Sequence, residues 1–531
     1  MANTGTLQQS APRKLPVGIQ DFETIRTEGY SYADKTALIY ELVQNGKLYF
    51  LSRPRRFGKS LLISTLEAYF LGKKELFSGL AIAEKETEWA TYPVLHFDFN
   101  GQDYTVPNGL NEIIDAHLRK WEKIYRCPKE SNSPGIRLAD IIEAARAQTG
   151  HKVVVLVDEY DKALLETMTL DSTQTEANSA IFKGMFGQLK RLDGSLRFVL
   201  FSGVTKFSKV SIFSDLNQLE DISLDEDFST ICGITQKELE QDFAPETDAM
   251  ATSHAMTREE CLARLKRLYD GYHFCSNAPA VYNPFSLINA LKKRTFGRYW
   301  FGTGIPSFLV KRLNDIGFNP KQFSDNSISI SRDEISDYRP DNPNIVPLLY
   351  QSGYLTIKDY DSEFDSYLLG YPNDEVKYGF TASLAPVYLR SETPLDVRSF
   401  GRDIKSGNTD SLKERFIALF AHLPYASTPA DKEKLLERDF QNVIYLTFLL
   451  LGQFVRVEQH SAKGRADCIV ETDNFIYIFE FKRDSTADEA LSQIDTLGYA
   501  KPFAADSRTL IKVGASFSSA ERNLTEWKTR I

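Results

Sequence analysis

One short segment constrains the fold of this chain more than any other. Residues Arg53–Ser60 read RPRRFGKS, directly after the apolar stretch KLYFLS at Lys47–Ser52 and before a helical pattern at Ser60–Phe70. In a strand–loop–helix arrangement of this kind, backbone N–H groups of the loop and of the helix N-terminus point at phosphate oxygens. We therefore predict a phosphate-binding loop, with Lys59 at the outer phosphates and the Ser60 hydroxyl as a Mg²⁺ ligand.

The first position of this loop departs from the usual pattern, because Arg53 stands where glycine is common. Arginine reaches positive φ angles less easily than glycine, so we expect a different bend at the start of the loop. The three arginines would grip phosphate, act as an arginine finger or remain solvated loop charges, and the sequence leaves these roles open. The residues assigned to the nucleotide are Arg53, Arg55, Arg56, Phe57, Gly58, Lys59 and Ser60.

A second feature supports a nucleotide site. The apolar stretch VVVLV at Val153–Val157 runs into the acidic residues Asp158 and Glu159. Carboxylates at the carboxyl end of a parallel strand lie at the edge where such sheets bind ligands. We predict that Asp158 holds Mg²⁺ through water and that Glu159 orients or deprotonates the attacking water. An exposed acidic turn is the alternative interpretation.

A further strand, Leu196–Ser202, is expected between these two, because P-loop ATPases with such a glutamate usually carry a strand there that ends in a polar sensor. Ser202 and Thr205 are the candidates, with a plain strand-end cap as the alternative, and we assign Thr205 to the γ-phosphate. Together with a strand at Pro93–Asn100 and the intervening helices, the pattern predicts a doubly wound parallel α/β sheet.

The length of 531 residues suggests three or four domains. We expect a disordered tail at 1–14, a P-loop domain at 15–240, a mostly helical region at 241–408 and a second α/β domain at 409–531. The middle region contains the aromatic-rich segments YDGYHF, YNPFS, YWFGTGIPSFL and QSGYLTI, with a small strand pair around Tyr354–Tyr367.

Composition narrows the functional class. Hydrophobic residues make up 42 % of the chain and the formal net charge is −9, which favours packed domains and argues against coating nucleic acid with the whole surface, although a local basic cleft remains compatible. The five cysteines include no CxxC pair, so we interpret them as reduced thiols of a cytoplasmic protein. No signal-peptide core and no apolar run of about 18 residues is present, so no membrane span is expected.

A second group of chemistry-bearing residues lies near the C-terminus. Two alternating strands flank Asp473-Asn474, a good hairpin turn. If Thr472 pairs with Phe475, Asp467 lies opposite Glu480, and the two-residue period places Glu480 and Lys482 on one face. Two carboxylates suit Mg²⁺, and a lysine beside them suits phosphodiester hydrolysis. An exposed ladder of charges on an amphipathic hairpin is the alternative.

Two helices are expected to frame this hairpin. The upstream helix Glu437–Leu451 would present Glu437 as a further metal ligand, and the downstream helix, which starts near Ser485, carries Gln493. Glu480 and Lys482 interrupt an otherwise apolar strand, where unpaired charges are costly to bury. We therefore favour a metal site over a charge ladder.

At these residues the sequence resembles a two-part family that joins an AAA-ATPase-like domain of the P-loop (ASCE) class to a C-terminal PD-(D/E)XK nuclease-superfamily domain with a restriction-endonuclease-like α/β fold. The matching segments run almost from end to end. The most specific are SRPRRFGKS at Ser52–Ser60 and YIFEFK at Tyr477–Lys482. The family itself has RPRRFGKS in its loop, so Arg53 departs from the general pattern but not from the family's.

The resemblance implies ATP and Mg²⁺ at one site and Mg²⁺, with Mn²⁺ as an alternative, at the other. It implies that the middle region acts as a lid with a winged-helix-like part, and it places Gln20 and Asp21 near the adenine. The catalytic or metal-binding residues that it implies are Lys59, Ser60, Asp158, Glu159, Glu437, Asp467, Glu480, Lys482 and Gln493.

These features favour an ATP-binding and ATP-hydrolysing module coupled to a Mg²⁺-dependent nuclease-like domain that acts on DNA, in defence against mobile elements or in their maintenance. A regulatory switch whose nuclease fold binds without cutting is the first alternative, and an ATPase motor with a DNA-binding tail is another. The sequence leaves open whether several copies of the chain assemble.

Overall fold

The computed structural model of the protein describes residues 13–168, 172–207, 212–301, 309, 312–313, 316, 328–336, 338, 344–389, 396–421, 443–452, 456–459 and 466–531. They belong to two units, Met1–Thr303 with Asn326–Glu375, and Gly304–Asp325 with Val376–Ile531. Most of the expected middle region therefore belongs to the N-terminal unit, whereas its last part, from Val376, belongs to the C-terminal unit. The expected tail at 1–14 lies outside the described residues except for its last two.

The N-terminal part alternates helices and strands, with short 3₁₀ turns at Lys74–Phe77 and Asp193–Ser195. In chain order the elements are α1 (Phe22–Thr27), α2 (Thr36–Asn45), β1 (Leu48–Ser52), α3 (Lys59–Phe70), α4 (Ile82–Lys85), β2 (Val94–Asp98), α5 (Gly109–Ile124), α6 (Pro134–Thr149), β3 (Val153–Asp158), α7 (Lys162–Thr167), α8 (Ser172–Phe186), α9 (Gln188–Arg191), β4 (Leu196–Gly203) and β5 (Glu220–Asp221).

These five strands form one parallel sheet in the order β2-β3-β4-β1-β5. Every residue of β3 is buried, as expected for a central strand that helices cover on both faces. The predicted parallel α/β sheet is confirmed, and each of the four predicted strands lies within two residues of its expected bounds. The strand β4, which is predicted to end in the sensor, lies between β1 and β3, which confirms the expected strand order.

The middle elements of this unit are mostly helical. They are β6 (Ile234–Thr235), α10 (Gln236–Asp242), α11 (Ala244–Ser253), α12 (Arg258–Tyr269), β7 (Val281–Tyr282), α13 (Pro284–Lys293), β8 (Ile328–Ser331), α14 (Arg332–Ile335), α15 (Val346–Gln351), β9 (Thr356–Asp361) and β10 (Ser366–Gly370). Capping boxes start α10 at Thr235 and α12 at Thr257. The small strand pair is present as β9 and β10, and β8 adds a third antiparallel strand.

The C-terminal unit contains α16 (Asp374–Leu389, from its third residue), α17 (Val397–Ser406), α18 (Thr409–Ala421), a helix α19 at 443–451, β11 (Arg456–Gln459), β12 (Cys468–Glu471), β13 (Phe475–Arg483), α20 (Ala487–Thr496), a 3₁₀ turn at Lys501–Phe503, β14 (Thr509–Ser518) and β15 (Asn523–Arg530). Its strands lie in the order β11-β12-β13-β14-β15. Only β13 and β14 pair in parallel, and α20 forms the crossover between them.

The predicted hairpin is confirmed in its register. The N–H group of Thr472 donates to the carbonyl of Phe475 (2.8 Å), and Cys468 pairs with Phe479. The hydrophobic core on one face of this sheet joins α17–α19 to β12–β15. A smaller cluster on α20 covers Ile478 of β13. Among the described residues, no helix combines the length and the apolarity that a membrane span requires.

Candidate functional sites

The phosphate loop connects the end of β1 to the start of α3, as predicted. Gly58 precedes the helix with φ 95°, and its carbonyl accepts the first helical hydrogen bond from the N–H of Leu62 (2.9 Å). Glycine is suited to this position because it has no Cβ penalty at positive φ. Arg56 also has a positive φ of 69°. The sharp bend of the loop therefore lies at Arg56–Gly58 and not at its first residue.

Lys59 lies inside this loop with almost no exposure to solvent. Its Nζ donates to the carbonyls of Arg53 (3.0 Å) and Pro54 (3.2 Å), and the residue is 4 % exposed. Both partners are neutral, and the described residues place no carboxylate within salt-bridge distance of this amine. Burying a charge without a counter-charge is costly. The loop thus buries, among neutral partners, the amine that the sequence predicts at the outer phosphates.

The side chain of Arg53 is buried and makes its contacts within the protein. Its guanidinium donates to the carbonyls of Ser223 (2.8 Å) and Phe228 (3.1 Å) and lies over the ring of Phe274 at 4.0 Å. The residue is 1 % exposed. This arrangement gives Arg53 a structural role, because its donors already anchor the start of the loop to neighbouring main chain. The loop tolerates arginine at its first position for the same reason.

The remaining predicted loop residues separate into two groups. Arg55 and Arg56 are exposed, and the Arg56 guanidinium stacks on Phe285 at 3.9 Å. Phe57 is buried and packs edge-to-face against the ring of Tyr272 at 4.7 Å. Arg55 and Arg56 are therefore the loop arginines with accessible charges, whereas the Phe57 side chain supports the loop from within the core.

The acidic strand end lies next to the loop, at the carboxyl edge of the sheet. Asp158 is buried, and its Oδ1 accepts a hydrogen bond from the Ser202 hydroxyl (2.6 Å). Ser202 thereby orients the carboxylate that was predicted to hold Mg²⁺. Glu159 follows with φ 50°, a left-handed conformation that turns the chain sharply out of β3. Ser60 lies half-buried in the first turn of α3.

Asp161 and Thr205 connect the ends of β3 and β4. Asp161 Oδ2 accepts from the backbone N–H groups of Val204 (2.9 Å) and Thr205 (2.6 Å). Burial raises the pKa of Asp161 to about 6, against the opposing effect of these N–H donors. The Thr205 hydroxyl is fully buried and has no hydrogen-bond partner among the described residues. Thr205 is thus held rigidly with an unused hydroxyl, whereas Ser202 is already engaged.

A small, mostly apolar cavity lies beside this loop. Gly58 and Leu61 line it from the loop and α3, Pro16 and Tyr32 from the N-terminal segment, and Ile234 from β6. Ser31 also lines it and has a buried hydroxyl without a partner among the described residues. Gln20 and Asp21, which the resemblance places near the adenine, do not line this cavity. Its walls are mostly apolar, as in small-molecule pockets.

The hairpin site brings its acidic residues together as the register predicts. Asp467 precedes β12, and its Oδ2 accepts from the backbone N–H of Phe481 (2.8 Å). Glu480 is 3 % exposed, and its Oε2 has no hydrogen-bond partner among the described residues. A buried carboxylate oxygen without a donor is costly. This position therefore suits a cation.

Lys482 and Gln493 complete the cluster from β13 and α20. The Lys482 Nζ donates to Glu480 Oε1 (3.2 Å) and to Gln493 Oε1, while the Gln493 amide donates to the same Glu480 oxygen. The crossover helix α20 positions Gln493, and Thr486 caps its first turn. The structure thus brings together Asp467, Glu480, Lys482 and Gln493. Glu437 lies outside the described residues.

The electrostatics of Glu480 fit a metal ligand. Burial, followed by the negative charge of Asp467, raises the pKa of Glu480 to about 7, although Lys482 opposes the shift. A divalent cation between the two carboxylates would remove that repulsion, and oxygen donors match Mg²⁺ or Mn²⁺. Within the described ranges, no group of three or more His, Cys, Asp or Glu residues forms a complete cage, so further ligands would be water or residues outside those ranges.

Some residues at these sites make contacts that no motif in the sequence reveals. Asp161, Trp300 and Glu375 contact the loop or its neighbours, but their partners are 40 to 250 positions away in sequence. Likewise, His96 on β2 lies at 2.9 Å from Glu67 of α3. Burial would lower the pKa of His96, but Glu67 and the nearby Asp158 raise it above its ordinary value.

Comparisons with known proteins agree with both predicted domains. Residues 16–213 match the family described as a predicted AAA-ATPase, and residues 435–527 match the PD-(D/E)XK nuclease superfamily. The chain is 35 % identical over 526 residues to an uncharacterized protein encoded in the 5′ region of vnfD in Azotobacter chroococcum, and the match covers 96 % of this chain and 98 % of that protein. The chain therefore belongs to the family that joins an AAA-ATPase-like domain to a C-terminal PD-(D/E)XK nuclease-superfamily domain.

Proposed function

We propose that the protein binds and hydrolyses ATP at the phosphate loop and uses a Mg²⁺-dependent nuclease site to cleave phosphodiester bonds in DNA. The observation that carries this proposal is a pair of buried side chains, a lysine that contacts only neutral groups and a carboxylate that keeps one oxygen without a donor in the described part of the chain. Lys59 contacts only neutral carbonyls, and Glu480 keeps one oxygen without a partner among the described residues. The first suits phosphate and the second suits a divalent cation.

At the nucleotide site, each residue has a distinct task. Lys59 and the N–H groups at the start of α3 would bind the phosphates, and Ser60 with Asp158 would hold Mg²⁺, which neutralises phosphate charge when bound. Glu159 would orient the water that attacks the γ-phosphorus. The Thr205 hydroxyl would bond the γ-phosphate, and the exposed Arg55 would add positive charge at the mouth of the loop.

The cavity beside the loop supports a nucleotide over a simple phosphate. Its walls continue from Gly58 and Leu61 to Tyr32 and Ile234. The base of a nucleotide could therefore pack against apolar side chains while the phosphates lie on the loop. No guanine-reading NKxD tetrad is evident in the sequence. ATP is therefore the nucleotide that we propose.

At the hairpin site, hydrolysis would form a bond from a water oxygen to phosphorus and break the bond from phosphorus to the leaving sugar oxygen. Asp467 and Glu480 would hold the cation, which polarises the phosphate when bound. Lys482 would position the attacking water and stabilise the charge that develops on phosphate oxygens, and Gln493 would hold the lysine in place.

The two activities would be coupled in one chain, with the nucleotide state controlling the nuclease. The nuclease-superfamily domain suggests nucleic acid as the partner, and we propose DNA. In a cell this chemistry would serve in defence against mobile elements or in their maintenance. The protein would act in the cytoplasm, alone or as an assembly of copies.

The test is cleavage of supercoiled plasmid by the full chain with ATP and Mg²⁺ or Mn²⁺. We expect nicked and linear products from the wild type and a loss of at least about 100-fold in rate from Glu480→Ala, because the buried metal ligand is removed. Glu521→Ala is the matched control, since Glu521 is an exposed surface residue of the same unit, and it should cleave like the wild type.

The same experiment separates the alternatives. If wild type and Glu480→Ala produce identical DNA profiles while ATP still binds, the nuclease fold acts as a binding module and the protein is a regulatory switch. Processive ATP turnover that DNA stimulates, without cleavage, would indicate a motor.

A further inference from the structure

Several aromatic segments of the middle region lie far from the phosphate loop in sequence but contact it in the fold. Phe274 stacks under the Arg53 guanidinium, and Phe285 stacks under that of Arg56. Gly353, with φ 86°, lies so close to Pro54 that a Cβ would come within 2.7 Å of the proline ring. These contacts place the segments YDGYHF, YNPFS and QSGYLTI around one loop of eight residues.

Trp300, from the fourth segment, makes a polar side-chain contact to the loop backbone. Its indole Nε1–H donates to the carbonyl of Arg55 (3.3 Å), and its ring packs against Tyr354 at 5.2 Å. The residue is 8 % exposed. The contact fixes the peptide between Arg55 and Arg56, directly before the left-handed residue Arg56.

Glu375 holds Trp300 in turn. Its Oε1 accepts the backbone N–H of Trp300 (2.8 Å), and the residue is 2 % exposed. Glu375 is also the last residue of the N-terminal unit, after which the chain passes into the unit that carries the hairpin site. A buried carboxylate at this position is costly and does more than cap a helix, because it orients a tryptophan backbone that contacts the phosphate loop.

We propose that Trp300 and Glu375 are positioning residues for the nucleotide site, which set the peptide at Arg55 so that the loop N–H groups face the phosphates. The proposal rests on ATP binding at Lys59 as proposed above. It assigns to the middle region a direct part in nucleotide affinity, in addition to any role as a lid. It also identifies Glu375, the last residue of the N-terminal unit, as a position that nucleotide binding would affect.

The test measures ATP·Mg²⁺ affinity and steady-state turnover for the full chain and its variants. Trp300→Phe keeps an aromatic ring against Tyr354 but removes the indole donor, and we expect about five- to tenfold weaker binding, the effect of one lost hydrogen bond. The loss should fall on affinity and KM more than on kcat. Glu375→Ala should weaken binding to a similar extent, while Glu375→Gln, which keeps an acceptor for the Trp300 N–H, should restore it to within about twofold of wild type.

Trp89→Phe is the matched control for the tryptophan. Its indole also donates to a main-chain carbonyl, that of Glu86 (3.1 Å), and it packs on Tyr69 and Phe77 within the same unit. The same chemical change there should leave ATP affinity unchanged. A readout that requires no variant is hydrogen exchange of the wild type, in which the peptide containing Tyr299–Phe301 should gain protection when ATP·Mg²⁺ is added.

The outcomes separate this proposal from the function on which it rests. If the wild type binds no nucleotide, both fail. If the wild type binds ATP but Trp300→Phe binds equally well, or Tyr299–Phe301 gains no protection, the positioning role is wrong and the nucleotide site stands. Equal losses in Glu375→Gln and Glu375→Ala would also overturn it.

Discussion

The two candidate sites differ in the charged group that the protein buries with incomplete partners, a lysine at the first site and a carboxylate at the second. At the phosphate loop a lysine is buried among neutral carbonyls, whereas at the hairpin the lysine is already bonded to Glu480 and Gln493 and it is a carboxylate oxygen that lacks a partner among the described residues. Protein interiors tolerate such groups at a cost. The group with incomplete partners therefore indicates the ligand, an anion at the first site and a cation at the second.

The largest effect should come from removing the Lys59 amine, the buried positive charge of the phosphate loop. Lys59→Ala should weaken ATP binding by at least about 100-fold, because charge-assisted hydrogen bonds to phosphate are lost. The control is Lys85→Ala, since Lys85 is a surface residue paired with Glu41. Calorimetric titration with ATP·Mg²⁺ measures both, and an unchanged affinity in Lys59→Ala would show that the loop does not bind nucleotide.

A pair of arginine substitutions sharpens the comparison within the loop. Arg53→Ala should lower the free energy of unfolding by about 3 kcal/mol, because several buried carbonyls lose their donor. Arg55→Ala should change it by less than about 0.5 kcal/mol but weaken ATP binding about tenfold, the effect of one charged contact. Chemical denaturation and nucleotide titration are the measurements. If Arg53→Ala and Arg55→Ala lower the free energy of unfolding equally, Arg53 does not have the structural role assigned to it.

The raised pKa of Glu480, at the second site, predicts that the stability of the protein depends on pH. Its pKa in the folded protein is about 7, above the ordinary value of 4.5, so its contribution to stability is fully present below pH 4.5 and is lost as pH rises toward 7. In metal-free buffer, Glu480→Gln should therefore be more stable than the wild type at pH 8, by about 2 kcal/mol, and the difference should shrink at pH 5. Thermal unfolding at the two pH values tests this, and a constant difference would contradict it.

The smallest expected effect concerns Ser202. Its hydroxyl orients Asp158 but is not expected to touch ATP, so Ser202→Ala should slow ATP hydrolysis about tenfold, as for one lost hydrogen bond, and leave affinity nearly unchanged. Thr205→Ala should reduce both, because its hydroxyl is unengaged. Steady-state kinetics distinguishes the two, and a reversed pattern would exchange the sensor assignment between Ser202 and Thr205.

Much of the fold was predictable because local patterns specify it. The buried run VVVLV and the Gly-Lys pair predict β3 and the start of α3 from neighbouring residues alone, and the Asp473-Asn474 turn specifies the hairpin register. β15 and β11 were not predicted. β15 is mostly exposed and polar, so it lacks the apolar alternation that marks a half-buried strand.

The candidate sites were predictable in their residues but not in their connections. Nothing in the sequence spacing relates Trp300 to Arg55, 245 positions apart, or Arg53 to Ser223, 170 positions apart. Such pairs depend on how the middle region folds onto the sheet, which no local rule specifies. The roles of the individual site residues stay predictions until variants are measured.

The most direct test of this comparison between the two sites is calorimetric titration of the wild type, Lys59→Ala and Glu480→Gln. Each protein is titrated with ATP·Mg²⁺ and, separately, with Mn²⁺ alone. We expect Lys59→Ala to lose ATP binding and keep the Mn²⁺ site, and Glu480→Gln to lose the Mn²⁺ site and keep ATP binding. Wild type should bind Mn²⁺ near pH 6.5 with release of a proton, since Glu480 must ionise. If both variants bind ATP·Mg²⁺ and Mn²⁺ as tightly as the wild type does, the comparison is wrong.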